Sequence, residues 1–497
     1  MGCLLRFSRT YFLKVIDILS PFELLHAHAV RQPHTDAIVV DGTRMSYQEL
    51  IERVAACCAW LIQRGISSDD LVGICIRDLI DHVVGATALF CLGVPQICIG
   101  SHEHADARRK LAQKVGVTRL LVESLDPWMQ DFETLSVPAA HWYRLTPSPP
   151  PTSSALMGAR ALDTLALYRT TSGSTNIPKA FGLNLLRFAA TTASYTRDPK
   201  LRRSLRTSSI EFDSGRLFLC MLLAGHSCLF TRCGSAPELV DVCKRERISM
   251  LMLGPYKTAG LLKTKSHARF PADTALQLSG SRVPGPLREQ IVRRLTNNLW
   301  IQYATSEFGV IAIATPHEHA DFPEGLGFPV SDLTIEIVGP DGEISPPGDI
   351  GEIRLHRRGM ATDYVGEPNT RNFRNGMFYP GDLISQPLGA PLLFHGRSDD
   401  TMILNGINIF PAAIEDLLES HAEVTEAIAF PIRSRVNGEI PAAAVVLSPQ
   451  AQSTDTSHLL DLCRKALGIR APRKIIVVDQ IPRSAAGKPL RREMRDS

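Results

Sequence analysis

The residues best suited to chemistry lie in the run Thr170-Thr171-Ser172-Gly173-Ser174-Thr175-Asn176-Ile177-Pro178-Lys179. It follows a short apolar stretch, Leu165 to Tyr168, that reads as a strand. Small hydroxyl residues and a glycine let backbone N–H groups approach a polyphosphate closely, the hydroxyls donate to phosphate oxygens, and Lys179 adds positive charge. A loop rich in Ser and Thr is commonly without function. The closing Pro178-Lys179 makes that bland reading much weaker. The loop is not of the Walker type, because G-x-x-x-x-G-K-[ST] is absent.

This run resembles the phosphate loop of the adenylate-forming enzymes: acyl- and aryl-CoA synthetases, amino-acid adenylation domains and luciferases. Their usual run is T-S-G-[ST]-T-G-x-P-K-G. Here Asn176 and Ala180 replace the second and last glycines, and Asn184-Leu185 stand where a Thr-His pair often follows. Asn tolerates the left-handed backbone conformation. The resemblance implies that Thr171, Ser172, Gly173, Ser174, Thr175 and Lys179 bind the phosphates of ATP.

Further motifs follow in the family's order. Tyr303-Ala304-Thr305-Ser306-Glu307 resembles Y-G-x-T-E. By this resemblance Tyr303 packs on adenine, Thr305 and Ser306 bind nucleotide with Ser306 in the Thr position, and Glu307 holds Mg²⁺. A hard carboxylate oxygen suits that ion. Gly376-Met377-Phe378-Tyr379-Pro380-Gly381-Asp382 resembles G-W-x-x-T-G-D, which implies that Asp382 accepts from both ribose hydroxyls through its two oxygens. Gly396-Arg397-Ser398-Asp399-Asp400 resembles G-R-x-D-D, making Arg397 a ribose or phosphate donor and Asp399 the hinge of a small domain. Gly406-Ile407-Asn408-Ile409-Phe410-Pro411 resembles the stretch that lines the thiol tunnel, at Gly406 and Ile407. Pro482-Arg483-Ser484-Ala485-Ala486-Gly487-Lys488-Pro489 resembles P-[KR]-[TS]-x-x-G-K, whose lysine, here Lys488, catalyses adenylation. Its charge on a flexible stem reaches both carboxylate and α-phosphate. Leu278-Ser279-Gly280-Ser281-Arg282 resembles the adenine-contacting segment, with Gly280 and Ser281 in contact. Taken singly, Glu307 reads as a solvated acid, Pro-Gly-Asp as a turn and Gly-Lys-Pro as an exposed end. Their order over residues 21 to 491 is what carries the resemblance.

The acid is less legible. Glu211-Phe212-Asp213-Ser214-Gly215 is similar to the F-D-x-S run of amino-acid activating relatives, where the aspartate holds an ammonium. Counted back from Leu222-Leu223-Ala224-Gly225, the run is one residue short, so within the acid pocket of Phe212 and Asp213 it is Phe212, not Asp213, that is expected at the critical place. Arg282 reads as a surface ion pair ahead of a substrate contact. No carrier-protein motif follows Lys488, so the thiol acceptor is expected in trans, as CoA or the phosphopantetheine of a separate carrier protein.

The elements that must position these residues alternate. Ser46 is expected to cap a helix over Leu50 to Ile66 with Glu49 completing a capping box. A strand over Leu71 to Ile76, a helix over Leu79 to Leu92 and a strand over Gln96 to Ile99 follow, and the alternation runs to about residue 320. This predicts an α/β fold of two parallel-type βαβ subdomains. Short alternating runs from Thr334 to Val338 and Gly351 to Leu355 predict a β-rich subdomain over about 325–398. Residues 399–497 are expected to form a small, mobile α+β C-terminal domain, 21–398 the large domain, and 1–20 an unassigned leader. Thr146 to Ser154 reads as a surface loop.

Composition is consistent with this. The 497 residues carry 54 basic and 51 acidic side chains, a net charge of +3, too small a field to steer nucleic acid. No run of 18 apolar residues predicts a membrane span. Eleven scattered cysteines without a C-x-x-C pair read as buried thiols, including Cys57 and Cys58, and suggest a cytoplasmic setting. The expected activity is ATP-dependent activation of a small carboxylic acid to acyl-AMP with Mg²⁺, then transfer to a thiol, CoA first. A stand-alone enzyme that loads a carrier protein or forms an amide is the second reading, and a non-catalytic nucleotide-binding partner the third.

Overall fold

The computed structural model describes residues 20–138, 142, 165–171, 178–196, 202–207, 216–264, 268–367, 370–404, 407–434, 438–448, 451, 453–483 and 489–495. Residues 1–19 of the leader and the loop Thr146 to Ser154 lie outside them.

The first helix to be predicted forms as Tyr47–Gln63. Ser46 Oγ accepts from Glu49 N (3.2 Å) and the Glu49 carboxylate accepts from Ser46 N (2.7 Å), so the capping box is complete. The helix starts three residues before Leu50 because a capped helix begins at the residue after its cap. It stops short of Ile66 at Gly65, whose φ of +73° ends the turn. The next helix, Leu79–Cys91, is capped by Asp78 and lies close to its expected span.

Four sheets organise the described residues. In the first, Glu133–Ser136, Arg119–Val122, Val72–Cys75, Gln96–Cys98 and Leu165–Thr171 run parallel, and Lys179–Asn184 turns back antiparallel. In the second, Asp36–Val40, Ser227–Phe230, Arg203–Arg206, Met250–Leu253, Ala275–Leu278 and Leu299–Thr305 run parallel in that order. Thr43–Ser46 closes one edge, and Gly309–Ala314 with Phe328–Pro329 the other, all antiparallel. The α/β reading holds, with one correction: the regular alternation breaks at two hairpins, Leu165–Thr171 with Lys179–Asn184 and Leu299–Thr305 with Gly309–Ala314. Their connections are too short for the crossover a parallel pair needs. Both hairpins carry site motifs.

The third sheet is antiparallel and spans Thr334–Val338 to Leu393–Arg397. Its tightest turn is Asn375-Gly376, with φ of +53° and +71°, the two-residue hairpin that Asn-Gly favours. The fourth, over Met402–Leu404, Ile407–Ile409, Val424–Ser434 and Gly438–Leu447, is antiparallel except for Lys474–Val477, which joins Gly438–Leu447 in parallel. Helices Pro411–Glu419 and Ser457–Leu467 cover it.

The buried apolar clusters follow these layers. The largest gathers Leu50, Trp60, Cys57 and Cys58 with Phe218 and Leu222. The clusters of the fourth sheet contain only residues from Met402 onward, and the fully buried residues of all the others end at Leu392. Among the described residues ten cysteines are free and eight of them buried. Burial first, then the nearby Cys58, holds the Cys91 thiol well above its ordinary range. Among the described residues no helix is long and apolar enough to cross a membrane.

Candidate active site

Asp382 and Arg397 face each other as cross-strand neighbours on Asp382–Ser385 and Leu393–Arg397. Gly381, at φ +85°, sets the approach: a Cβ there would press on Arg397 Nη2 at 3.2 Å. Asp382 is 6% exposed, and both of its oxygens are engaged. The Tyr303 hydroxyl donates to Oδ2 (2.6 Å) and Arg397 Nη1 donates to Oδ1 (3.1 Å). Tyr303 reaches it from Leu299–Thr305, where the ladder shifts register between Tyr303 and Ala304 and re-aims the strand end. Burial, and then the Asp382 charge, hold the Tyr303 phenol far above its ordinary range, so it remains a donor.

Arg397 continues the chain of charges. Its Nε donates to Asp399 Oδ1 (3.0 Å), and Arg371 donates to Asp399 Oδ2 (2.8 Å). Burial alone would lower the Arg397 pKa, and the charges of Asp382 and Asp399 outweigh it and raise it. For Asp399, burial opposes ionisation and Arg397 overcomes it, so its carboxyl titrates below the usual range.

The hairpin of Leu165–Thr171 with Lys179–Asn184 brings the phosphate-loop ends beside the turn that carries Ser306 and Glu307. Thr171 and Lys179 are paired opposite each other where the loop leaves the strands. Arg169 Nη1 donates to the Ser306 carbonyl (3.4 Å), and Thr305 Oγ1 accepts from Phe308 N (3.1 Å), which fixes the turn carrying Ser306 and Glu307. Glu307 Oε1 accepts from the Tyr364 hydroxyl at 2.6 Å. Lys179 Nζ lies 4.7 Å from the Tyr364 ring centroid and 3.5 Å from Glu367 Oε2. Glu367 also accepts from Lys114 Nζ (2.6 Å), and this bond, with Lys179 adding to it, lowers the Glu367 pKa.

Gly280, at φ +100° with open space where a Cβ would sit, and Ser281 follow the strand Ala275–Leu278. Arg282 is held by Asp416 of Pro411–Glu419 and by Glu324 (2.8 Å), which makes it the ion pair the sequence favoured. Asn184 ends Lys179–Asn184, and its Oδ1 accepts from Arg187 N (3.0 Å), starting the helix Leu185–Thr196. Ile407 opens the strand Ile407–Ile409. Ser172, Gly173, Ser174, Thr175, Phe212, Asp213, Gly406 and Lys488 lie outside the described residues. The structure thus brings together Tyr303, Asp382, Arg397 and Asp399 in one chain of contacts, and Lys179 and Glu307 around Tyr364 in another.

Sequence reading missed Tyr364, Glu367, Lys114 and Arg169. They come from three separate stretches with no shared spacing, and only the tertiary fold joins them.

The set suits a nucleotide. Asp382 is an acceptor-only group of the kind that binds a vicinal diol, and the Glu307 carboxylate offers the hard oxygen that Mg²⁺ prefers.

Comparison with known proteins agrees. The family model described as AMP-binding enzyme matches residues 25–365, and the one described as AMP-binding enzyme C-terminal domain matches 413–488. The chain is 23% identical over 479 residues to a 2-succinylbenzoate–CoA ligase of Bacillus mycoides, covering 95% of this chain and 97% of that one. Its fold is similar to that of the o-succinylbenzoate CoA synthetase of Bacillus subtilis solved with ATP and magnesium, at TM-score 0.83 and 22% identity over 95% and 99% of the two chains. It is equally similar to an amide bond synthetase of Marinactinospora thermotolerans, at TM-score 0.83 and 19% identity over 96% and 99%. Family models matched over residues 25–365 and 413–488, most of its length, make the chain a member of the AMP-binding enzyme family, the adenylate-forming ligases.

Proposed function

We propose that the chain joins a carboxylic acid to a thiol in two half-reactions driven by ATP. In the first, a carboxylate oxygen attacks the α-phosphorus, the bond to the bridging oxygen breaks, and pyrophosphate leaves. In the second, a thiol sulfur attacks the acyl carbon of the acyl-AMP, AMP departs with the carboxylate oxygen, and the thiol proton passes to solvent. The observation that carries this reading is Asp382, buried and oriented by Tyr303 and Arg397 at once.

In this reading Asp382 accepts the ribose hydroxyls. Tyr303 and Arg397 fix the carboxylate before the substrate arrives, so no reorganisation is needed at the moment of reaction. Lys179 leaves or shares Glu367 to meet the polyphosphate, and the phosphate-loop hydroxyls donate to its oxygens. Glu307, held by Tyr364, is the ligand for Mg²⁺, which neutralises phosphate charge when bound. Lys488 bridges carboxylate and α-phosphate. Asp399 is the pivot about which residues 399–497 turn to bring Gly406 and Ile407 to the thiol, because one site cannot complement two different transition states.

CoA is the acceptor this reading favours, and a carrier-protein phosphopantetheine or an amine is the alternative. Phe212 and Asp213 would border the acid. The free, mostly buried cysteines suit a reducing compartment, which we take to be the cytoplasm.

The test is acid-dependent exchange of pyrophosphate into ATP across fatty, aryl and amino acids, without thiol. Exchange with one class supports adenylation and identifies the pocket preference. Lys488→Ala should abolish it, a loss of at least about 100-fold for a lost electrostatic contact to the transition state, while the melting temperature stays unchanged. Full activity in that variant would overturn the lysine assignment.

A further inference from the structure

At a corner of the fourth sheet, three side chains that the nucleotide chemistry does not use converge. His421 and Glu423 sit on the short link between the helix Pro411–Glu419 and the strand Val424–Ser434. His458 lies in the first turn of Ser457–Leu467. One donor atom from each lies within 4.8 Å of the other two. His458 Nε2 is 2.8 Å from Glu423 Oε2, and the two imidazole centroids are 5.3 Å apart with planes at 51°.

We propose that His421, Glu423 and His458 form a binding site for a divalent transition-metal ion of the zinc class. The donor set is two imidazoles and one carboxylate, borderline ligands that favour Zn²⁺, Co²⁺ and Ni²⁺ over Mg²⁺ or Ca²⁺. Three protein ligands leave at least one position for water.

Apart from Glu423 N donating to His421 Nδ1 (3.4 Å), the corner is held without these side chains. Val424 N donates to the His421 carbonyl (3.0 Å) and His421 N to Leu418 O (3.1 Å). Ser448 grips the link from the neighbouring strand, its N donating to Glu423 O (2.8 Å) and its Oγ to Ala422 O (3.0 Å). The start of the second helix is fixed separately, by Asp455 Oδ1 accepting from Ser457 N (3.0 Å) and Ser457 Oγ (2.6 Å). The convergence of the three donors is therefore set by the fold and does not depend on the Glu423–His458 contact.

Bonds of about 2.1 Å in a tetrahedron place ligand atoms about 3.4 Å apart. A modest turn of the rings meets that, since the second torsion of a histidine is broad and the His458 side chain is 45% exposed. An occupied site would clip the link to the helix Ser457–Leu467 and stiffen one edge of the C-terminal sheet. An ordinary surface contact between Glu423 and His458 is the competing account, and the test separates the two.

The experiment titrates Co²⁺ into the chelator-treated full-length chain without nucleotide, so its outcome is independent of the adenylation reading. Visible absorption bands of cobalt should saturate at one ion per chain, with no near-ultraviolet thiolate band, and micromolar Zn²⁺ should displace them while millimolar Mg²⁺ does not. Affinity should fall at least tenfold in His458→Ala and in Glu423→Gln, both confirmed folded by circular dichroism. Zn²⁺ should raise the melting temperature of the unaltered chain and not of the variants. No saturable binding, a thiolate band, or undiminished affinity in His458→Ala would overturn the proposal.

Discussion

Asp382 makes its position through two donors from different sheets, and that fixes what its loss should do. Asp382→Asn keeps the shape and removes the charge on which Arg397 and a ribose both depend. Hydrogen bonds to a charged group contribute about 1.5–3 kcal/mol, so ATP affinity measured by calorimetry should fall about 10- to 100-fold with little change in melting temperature. Unchanged affinity would remove Asp382 from the nucleotide site. At this scale the sequence is readable where one short run carries both residue type and neighbour. Tyr303, Asp382 and Arg397 each stand in such a run, and the fold joins them. Tyr364 stands in none: its partners Glu307 and Lys179 lie 57 and 185 residues before it, and contacts of that range leave no spacing to read. Arg282 shows the same limit, because only the packing of Pro411–Glu419 reveals that Asp416 faces it.

Among the elements, local chemistry that acts over three or four residues was legible to within a turn. Ser46 and Glu49 cap their helix as their spacing implies. Strand direction was not, since a parallel and an antiparallel strand bury the same apolar residues. The connection length decides it, and around Ser306 and Glu307 the connection is a tight turn. The edge strand Phe328–Pro329 rests on a different device. Gly327 has φ +90°, and a Cβ there would overlap the Ile313 carbonyl and the Ala314 nitrogen on the neighbouring strand. Gly327→Ala combines backbone strain with overlap that no side-chain rotation relieves. We expect a loss of about 3 kcal/mol or more, read by chemical denaturation, with weakened nucleotide binding because the new methyl presses on Gly309–Ala314, whose Ala312 pairs with Tyr303. A stable, fully binding variant would show that the strand shifts freely.

Across the whole molecule, the fourth sheet meets the rest chiefly through charge. Arg282 joins Glu324 to Asp416, Lys263 approaches Glu426 at 3.9 Å, and Arg483 lies over the Tyr256 ring at 4.5 Å. Beside this seam, burial, and after it the charges of Glu415 and Asp416, push the Glu419 carboxyl up to about 7 against the opposing Ala427 N–H and Arg282. An unfolded glutamate titrates near 4.3, so the folded chain holds this proton more tightly. Its contribution to stability is complete below about pH 4.3 and is lost as pH rises through about 7. Glu419→Gln still accepts from Ala427 N and cannot ionise. It should melt above the unaltered chain at pH 8, with the gap narrowing as pH falls below about 7 and closing only at about pH 4.3. A gap independent of pH would mean that Glu419 does not titrate near neutrality.

The separation of the apolar clusters between Leu392 and Met402 has a mechanical consequence. Each side keeps its own buried apolar cluster, and the contacts named across the seam are made by charged side chains. Under the proposed turning of residues 399–497 about Asp399, such a seam would part at small cost in cohesion. Dissolved salt, which competes for the same charges, then becomes a throttle on how long it remains shut.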